Sequence, residues 1–155
     1  MPPSYIIDMD GVIYHGSRLI PGAAEFVARL RQRNQKFLFL TNNSQWTARD
    51  LAHRLGVMGI DVDEAAFHTS ALATADFLHQ QMPGGTAYVI GGAGLTKALY
   101  DVGFTLTEQN PDYVVVGDTR SYDYEKIERA TRLVRAPRGD DDGFAAQRLI
   151  HAARG

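Results

Sequence analysis

Short apolar runs alternate with longer amphipathic stretches along most of this chain, and this alternation limits the fold more than any other feature. The runs with the length and composition of buried strands are residues 5–7, 37–40, 67–70, 87–90 and 113–116. Between them lie segments with apolar residues at helical spacing: 21–33, 44–55, 71–81, 95–102 and 124–134. Alternating strands and helices predict an α/β fold with a parallel sheet.

Two helix starts can be predicted from local signals. A helix is expected from Pro21, because proline suits the first helical turn and an apolar stripe follows it through Ala23, Val27 and Leu30. Ser44 is expected to cap the next helix, since a serine side chain accepts hydrogen bonds from the first N–H groups of a helix.

The glycine-rich stretch Pro83-Gly84-Gly85 divides the chain, because the strand–helix alternation restarts after it. Residues 1–83 are therefore predicted to form the first half of a Rossmann-like core, and residues 86–136 a second α/β unit. Residues 137–155 differ in character and form a divergent tail. Within that tail, an amphipathic helix is predicted over 144–154.

Composition excludes several classes of partner. The 155 residues are 45% hydrophobic and 22% charged, with a net charge of −2 and no cysteine. The lack of a basic run argues against nucleic acid and anionic membranes as partners, and no apolar stretch is long enough to span a bilayer. Thiolate metal sites and disulfides are impossible without cysteine. We expect a cytoplasmic protein.

Two carboxylates follow the first predicted strand. Asp8 and Asp10 lie where the run 5–7 opens into a loop containing Gly11, and ligands of open α/β sheets bind outside the carboxyl ends of the strands. Asp8 could attack phosphorus as a nucleophile there. Asp10 could protonate the leaving oxygen and later deprotonate the attacking water. Taken alone, the Asp-x-Asp-Gly pattern is equally typical of a plain turn or a calcium-type loop.

A second polar cluster, Thr41-Asn42-Asn43, follows the second predicted strand. In a parallel sheet it would share one edge with Asp8 and Asp10. There the Thr41 hydroxyl and nearby backbone N–H groups could hold a phosphate. Mg²⁺ would offset the repulsion between carboxylates and phosphate. Together the two clusters predict one magnesium-dependent phosphate site, with Gly11 allowing its loop to turn sharply.

Several segments together resemble a single family. Residues 8–16 and 40–44 look like motifs I and II of the haloacid-dehalogenase-like superfamily, and more narrowly like those of the NagD-type phosphatases. Segments 21–26, 69–78 and 110–122 match the same family. The similarity extends over about residues 5–136.

This resemblance implies a Rossmann-like core followed by the first part of an α/β cap. It implies that Asp8 is the nucleophile and Asp10 the acid/base. It also implies that the Asp8 carboxylate and the Asp10 main-chain carbonyl bind Mg²⁺, and that Thr41 and Asn42 hold phosphate, with Asn43 beside them. The implied substrates are small phosphorylated metabolites, such as nucleoside monophosphates or sugar phosphates. Association of copies through the cap is a further expectation.

The chain also departs from the family pattern. The family's core needs a lysine motif and an acidic Mg²⁺-binding motif after the cap, whereas the lysines here are Lys36, Lys97 and Lys126. We therefore expect a truncated product with exposed apolar edges. The alternative function is a catalytically inactive fragment that retains only the phosphate-binding loops.

Three other patterns allow competing hypotheses. Asp118, Asp123 and Lys97 imitate the acidic and lysine motifs of a compact, uncapped enzyme, although we favour ordinary acids of the second unit. Residues 91–94, Gly-Gly-Ala-Gly, suggest a dinucleotide loop, but the third glycine of that fingerprint is missing and a tight turn is predicted. The three aspartates at 140–142 are predicted to be a solvated turn instead of a metal site.

Overall fold

The computed structural model of the chain describes residues 4–135 and 148–152. Its strands are β1 (Ser4–Asp8), β2 (Tyr14–His15), β3 (Arg18–Leu19), β4 (Lys36–Thr41), β5 (Phe67–Thr69), β6 (Thr86–Ile90), β7 (Thr105–Leu106), β8 (Tyr113–Val116) and β9 (Arg148–His151). Its α-helices are α1 (Ala23–Gln32), α2 (Ala48–Val57), α3 (Ser70–Gln81), α4 (Ala93–Asp101) and α5 (Tyr124–Arg135), and a 3₁₀ helix occupies Glu64–Ala66. Within these ranges, no helix has the length and apolar character needed to cross a membrane. The parallel sheets and interspersed helices confirm the predicted α/β class.

The first sheet contains three parallel strands in the order β1-β4-β5. Asp8 lies opposite Leu40, and Thr41 lies opposite Thr69, so the carboxyl ends of the strands meet at one edge. Helices α1 and α2 pack on one face of this sheet. The buried side chains of that core are Ile7, Met9, Ile13, Tyr14, Ala23, Val27, Leu30, Phe39, Leu51, Leu55, Ile60 and Phe67.

Both predicted helix starts need correction. Helix α1 begins at Ala23 instead of Pro21, because Gly22 caps it in the left-handed region at φ 88°. Helix α2 is capped by Thr47 instead of Ser44. The Thr47 side chain accepts a hydrogen bond from Asp50 N, and Asp50 Oδ2 accepts one from Thr47 N at 3.0 Å. This reciprocal pair satisfies two N–H groups at the helix start.

The second sheet has four parallel strands in the order β7-β6-β8-β9. Helices α3 and α4 cover one face, above Ala87 and Val115, and α5 packs on the other, above Tyr88 and Val114. Covering on both faces explains why β8 is a continuous apolar run. The predicted domain boundary at residues 83–86 stays a prediction, and α3, which precedes it, packs against the core of the second sheet.

The helix predicted at 144–154 is wrong over the residues of this segment that form a strand in the structure. Residues Arg148–His151 form β9, which pairs in parallel with β8 from Tyr113 to Val116. The unpaired N–H and C=O groups along that edge of β8 favour an added strand, and this tertiary pairing overrides the helical pattern of the tail. The aspartates at 140–142 lie outside the described residues.

The sequence pattern did not predict the hairpin of β2 and β3, or the short strand β7. Tyr14 pairs with Leu19 and His15 with Arg18 in an antiparallel ladder. Two-residue strands are too short to show an alternating pattern. The hairpin nevertheless matters, because it follows the Asp8–Asp10 loop directly.

Candidate active site

The two predicted carboxylates lie at the carboxyl end of β1. Asp8 and Asp10 are both exposed, whereas Met9 between them is fully buried. Because successive side chains of an extended chain point to opposite sides, the burial of Met9 turns both carboxylates toward solvent. Asp8 Oδ1 accepts a hydrogen bond from Met9 N at 2.7 Å. Asp8 Oδ2 has no hydrogen-bond partner among the described residues and stays available to a ligand.

A tight turn holds the backbone of Asp10 in place. The Met9 carbonyl accepts hydrogen bonds from the N–H groups of Val12, Ile13 and Tyr14 at 3.2, 2.9 and 3.3 Å. Gly11 N donates to the Tyr14 carbonyl at 2.8 Å, and Asp10 pairs with Tyr14 in an isolated bridge. Gly11 adopts φ 78°, which agrees with its predicted role in a sharp loop. The loop geometry is therefore set by the protein before any ligand binds.

Thr41 ends β4, on the strand next to Asp8. The residue is buried, with 4% of its surface exposed, and its Oγ1 accepts a hydrogen bond from Asn43 N at 3.2 Å. That bond uses an oxygen lone pair, so the hydroxyl proton remains for donation to a phosphate oxygen. Adjacent strands lie about 4.8 Å apart, which brings Thr41 and Asp8 to the same patch of the sheet edge.

Asn42 and Asn43 have different surroundings. Asn43 Oδ1 accepts hydrogen bonds from Gln45 N at 3.0 Å and Trp46 N at 2.9 Å, so its carboxamide closes the loop after β4. Asn42 is exposed, and its carbonyl accepts a hydrogen bond from Ser70 Oγ at 2.7 Å. The structure thus gives Asn43 a structural function, while the phosphate-binding function of both residues stays a prediction.

The sequence analysis missed an aromatic–cation contact beneath the site. The Arg54 guanidinium lies 4.6 Å from the centre of the Tyr14 ring, and its Nη2 donates to the Gly16 carbonyl. Tyr14 is only 2% exposed. Burial, followed by the negative charge of Asp10, raises the pKa of Tyr14, while Arg54 opposes that shift. Arg54 therefore ties α2 to the hairpin after the Asp10 loop, a contact between segments too distant in sequence to leave a local signal.

The loop after β4 is also fastened to the second sheet. Ser44 is fully buried, and its Oγ accepts a hydrogen bond from Asp118 N at 2.8 Å. Gly94 N donates to the Gln45 carbonyl at 2.9 Å. A Cβ on Gly94 would lie 2.4 Å from the Trp46 carbonyl oxygen. Gly92 and Gly94 thus serve close packing against the backbone of the loop after β4, while the tight turn predicted at residues 91–94 stays a prediction.

Asp8 and Asp10 offer the kind of ligands that Mg²⁺ prefers. Among residues 4–135 and 148–152, no group of three or more His, Cys, Asp or Glu is placed to hold a metal ion. Mg²⁺, however, is commonly bound by one or two carboxylates, with phosphate oxygens and waters completing its shell. Two exposed aspartates at the same sheet edge as the Thr41 hydroxyl fit that pattern.

Lys97 and Asp123, on which the alternative of a compact, uncapped enzyme depends, form ion pairs with other residues. Lys97 forms an ion pair with Asp101 at 2.7 Å, and Asp123 pairs with Lys126 at 2.9 Å. Hydrogen bonds from Lys126 lower the pKa of Asp123. Asp118 does not join the two site carboxylates in a cluster of potential metal ligands within the described part of the chain. The geometry therefore does not support a complete site built from these residues.

The sequence is similar to one known protein family and to known phosphatases. Residues 5–105 match the family described as Haloacid dehalogenase-like hydrolase. The chain is 48% identical over 131 residues to the dihydroxyacetone phosphatase of Corynebacterium glutamicum, covering 84% of this chain and 48% of that protein. It is 45% identical over 129 residues to the ribonucleotide monophosphatase NagD of Escherichia coli, covering 83% of this chain and 51% of that protein.

The fold agrees with these sequence matches. The solved structure of NagD from E. coli superposes with a TM-score of 0.80 at 44% identity, covering 86% of this chain and 53% of that chain. The chain thus spans about half the length of the relatives it matches. The family match covers the Asp8–Asp10 loop, Thr41 and, in the second sheet, strand β6. The chain belongs to the haloacid dehalogenase-like hydrolase family.

Proposed function

We propose that this chain takes part in magnesium-dependent hydrolysis of small phosphomonoesters, with Asp8 as the nucleophile. One observation carries the proposal. Asp8 and Thr41 end neighbouring parallel strands at the same edge, with Asp10 held two residues beyond Asp8 by a hydrogen-bonded turn. Two carboxylates and a hydroxyl, the groups that could act as nucleophile, acid/base and phosphate-oxygen donor, thus lie where α/β sheets bind ligands, which supports the proposal.

In the first step, an oxygen of the Asp8 carboxylate forms a bond to phosphorus while the bond from phosphorus to the ester oxygen breaks. Asp10, in its protonated form, donates a proton to the leaving oxygen, which departs as an alcohol. Asp10, now a carboxylate, then accepts a proton from a water molecule whose oxygen attacks the aspartyl phosphate. Inorganic phosphate leaves and the Asp8 carboxylate is restored.

The Thr41 hydroxyl would hold a non-reacting phosphate oxygen by a hydrogen bond. The Asp8 carboxylate and the Asp10 main-chain carbonyl would hold Mg²⁺. That ion supplies positive charge that offsets the repulsion between the nucleophile and the phosphate. The names of the relatives, a dihydroxyacetone phosphatase and a ribonucleotide monophosphatase, support a small phosphorylated metabolite as substrate.

The second candidate is a phosphate-binding chain that does not hydrolyse esters. It is favoured by the ion pairs of two lysines, because a lysine that is already paired elsewhere is not available to a phosphate. Lys97 pairs with Asp101 on α4, and Lys126 pairs with Asp123 at the start of α5. Catalysis of phosphoryl transfer relies on positive charge around the transferred group, and within the described residues neither Asp8 nor Asp10 forms an ion pair with a lysine or an arginine.

Turnover of p-nitrophenyl phosphate with Mg²⁺ separates the two candidates. The catalytic proposal predicts hydrolysis that falls by at least about 10³-fold in Asp8→Asn. It should be unchanged in Asp76→Asn, an exposed aspartate on α3. If wild-type protein binds inorganic phosphate by calorimetry, but hydrolyses no ester, the binding-only candidate is correct. Hydrolysis that survives Asp8→Asn would refute the proposed nucleophile.

A further inference from the structure

The side chain of Arg54, on α2, makes two contacts with the hairpin that follows the Asp10 loop. Its Cζ atom lies 4.6 Å from the centre of the Tyr14 ring, within the range of a cation–π interaction. Its Nη2 donates a hydrogen bond to the carbonyl of Gly16, in the turn between β2 and β3. A hydrogen bond from a charged donor is stronger than a neutral one. One arginine therefore fastens both β2 and the hairpin turn to α2.

No carboxylate competes for Arg54 within the described part of the chain, where its guanidinium forms no ion pair. Asp50 lies one helical turn earlier on α2, but its Oδ2 accepts hydrogen bonds from Thr47 N at 3.0 Å and Thr47 Oγ1 at 2.7 Å. The cap of α2 thus occupies the nearest acid of the same helix. The contacts with the hairpin are those that fix the position of the Arg54 side chain.

The backbone of Tyr14 holds the Asp10 loop at both of its ends. Tyr14 N donates to the Met9 carbonyl at 3.3 Å, and the Tyr14 carbonyl accepts from Gly11 N at 2.8 Å. Asp10 itself pairs with Tyr14 in an isolated bridge. Because the Tyr14 side chain is buried in the core, Tyr14 cannot shift unless its packed neighbours shift as well. The position of Tyr14 therefore determines where the backbone of Asp10 lies.

We propose that Arg54 is a positioning residue for the acid/base. By holding Tyr14 and Gly16 it keeps the loop of Asp10 in the place that proton transfer requires. The inference rests on the proposed function, in which Asp10 donates a proton to the leaving oxygen. That transfer needs hydrogen-bond reach between donor and acceptor, and a displacement of about 1 Å can cost about 10²-fold in rate. Arg54 acts through the hairpin and not on the substrate.

The choice of leaving group distinguishes this role from a general loss of folded protein. p-Nitrophenolate is a stable anion that leaves with little help from a proton donor, whereas the more basic phenolate of phenyl phosphate needs that help. Arg54→Ala should therefore lower kcat/KM at least about tenfold for phenyl phosphate, and less than about threefold for p-nitrophenyl phosphate. A smaller folded fraction would lower both values equally.

Arg31→Ala is the matched control. The Arg31 guanidinium also donates to a backbone carbonyl, that of Asp61, but it contacts neither strand of the hairpin. Its loss should leave the ratio of the two kcat/KM values unchanged. Arg54→Lys keeps a cation but loses the planar group that can lie on a ring while it donates, so its ratio should fall between wild type and Arg54→Ala. An equal fall for both substrates in Arg54→Ala, or no fall for either, would overturn the proposal.

Hydrogen exchange by NMR tests the same role without catalysis. The N–H groups of Gly11 and Tyr14 are hydrogen-bonded within the loop and exchange when it opens. In Arg54→Ala they should exchange at least about tenfold faster than in wild type, because a cation–π contact and a charge-assisted hydrogen bond are lost. The amides of β4 should be unchanged.

This measurement separates failure of the inference from failure of the proposed function. If the wild-type chain hydrolyses neither ester, the catalytic proposal is wrong, and exchange alone decides whether Arg54 holds the loop. Faster exchange of Gly11 and Tyr14 in Arg54→Ala, but not in Arg31→Ala, would support the inference. Unchanged exchange of these two amides would overturn it.

Discussion

Replacing Gly94 by alanine tests whether the loop after β4 is fastened to α4. A Cβ at this position would lie 2.4 Å from the carbonyl oxygen of Trp46 and 2.7 Å from its carbonyl carbon. These obstructing atoms are backbone and cannot rotate away. The loop or the helix must move, which also weakens the hydrogen bond of 2.9 Å from Gly94 N to Gln45 O.

The expected change in the free energy of unfolding follows from two destabilising contributions and one stabilising contribution. Forcing an extra methyl group into a packed contact costs about 1–3 kcal/mol, and loss of the hydrogen bond adds about 1 kcal/mol. Alanine in place of glycine inside a helix restores at most about 1 kcal/mol. We expect Gly94→Ala to lower the free energy of unfolding by about 2 kcal/mol.

Urea unfolding followed by circular dichroism measures this difference as a lower midpoint with an unchanged slope. The matched control is Gly56→Ala in α2, where a Cβ meets no atom within 4 Å. It should be neutral or stabilising by up to about 1 kcal/mol. If Gly94→Ala is as stable as Gly56→Ala, the close contact between α4 and the loop does not exist.

Three further variants test local features. Thr47→Ala removes the reciprocal cap of α2 and should cost about 1 kcal/mol in urea unfolding. Ser44→Ala removes the acceptor of the Asp118 N–H and should speed hydrogen exchange of that amide, with a loss of about 1 kcal/mol. Burial raises the pKa of Tyr14 above 10.0, so its contribution to stability is full below that pH and is lost as pH rises through the folded-state pKa. Tyr14→Phe should remove that alkaline loss of stability, measured by urea unfolding across the pH range.

The strands and helices that bring Asp8 and Thr41 together could be predicted from the sequence, because continuous apolar runs and helical stripes reflect burial directly. The runs 5–7 and 37–40 lie within β1 and β4. Parallel pairing then places the carboxyl ends of both strands at one edge. Local chemistry was therefore sufficient to locate the candidate site.

Features that depend on a choice between two suitable residues, or on a partner distant in sequence, could not be predicted. Ser44 and Thr47 are both good capping residues. Thr47 caps α2 because the Asp50 side chain accepts its N–H, whereas the Ser44 hydroxyl accepts a hydrogen bond from Asp118 N. The tail residues 148–151 have a helical pattern, yet β8 offers an edge that makes them a strand. The stacking of Arg54 on Tyr14 joins segments that no local rule connects.

The central claim is that Asp8 receives the phosphoryl group. It is tested most directly by incubating the protein with p-nitrophenyl phosphate and Mg²⁺, quenching in acid and locating the phosphoryl group by peptide mass spectrometry. The account predicts one added phosphoryl group on the peptide containing Asp8 in wild-type and Asp76→Asn protein, and none in Asp8→Asn. Phosphorylation at another residue, or turnover without any phosphorylated Asp8, would contradict it.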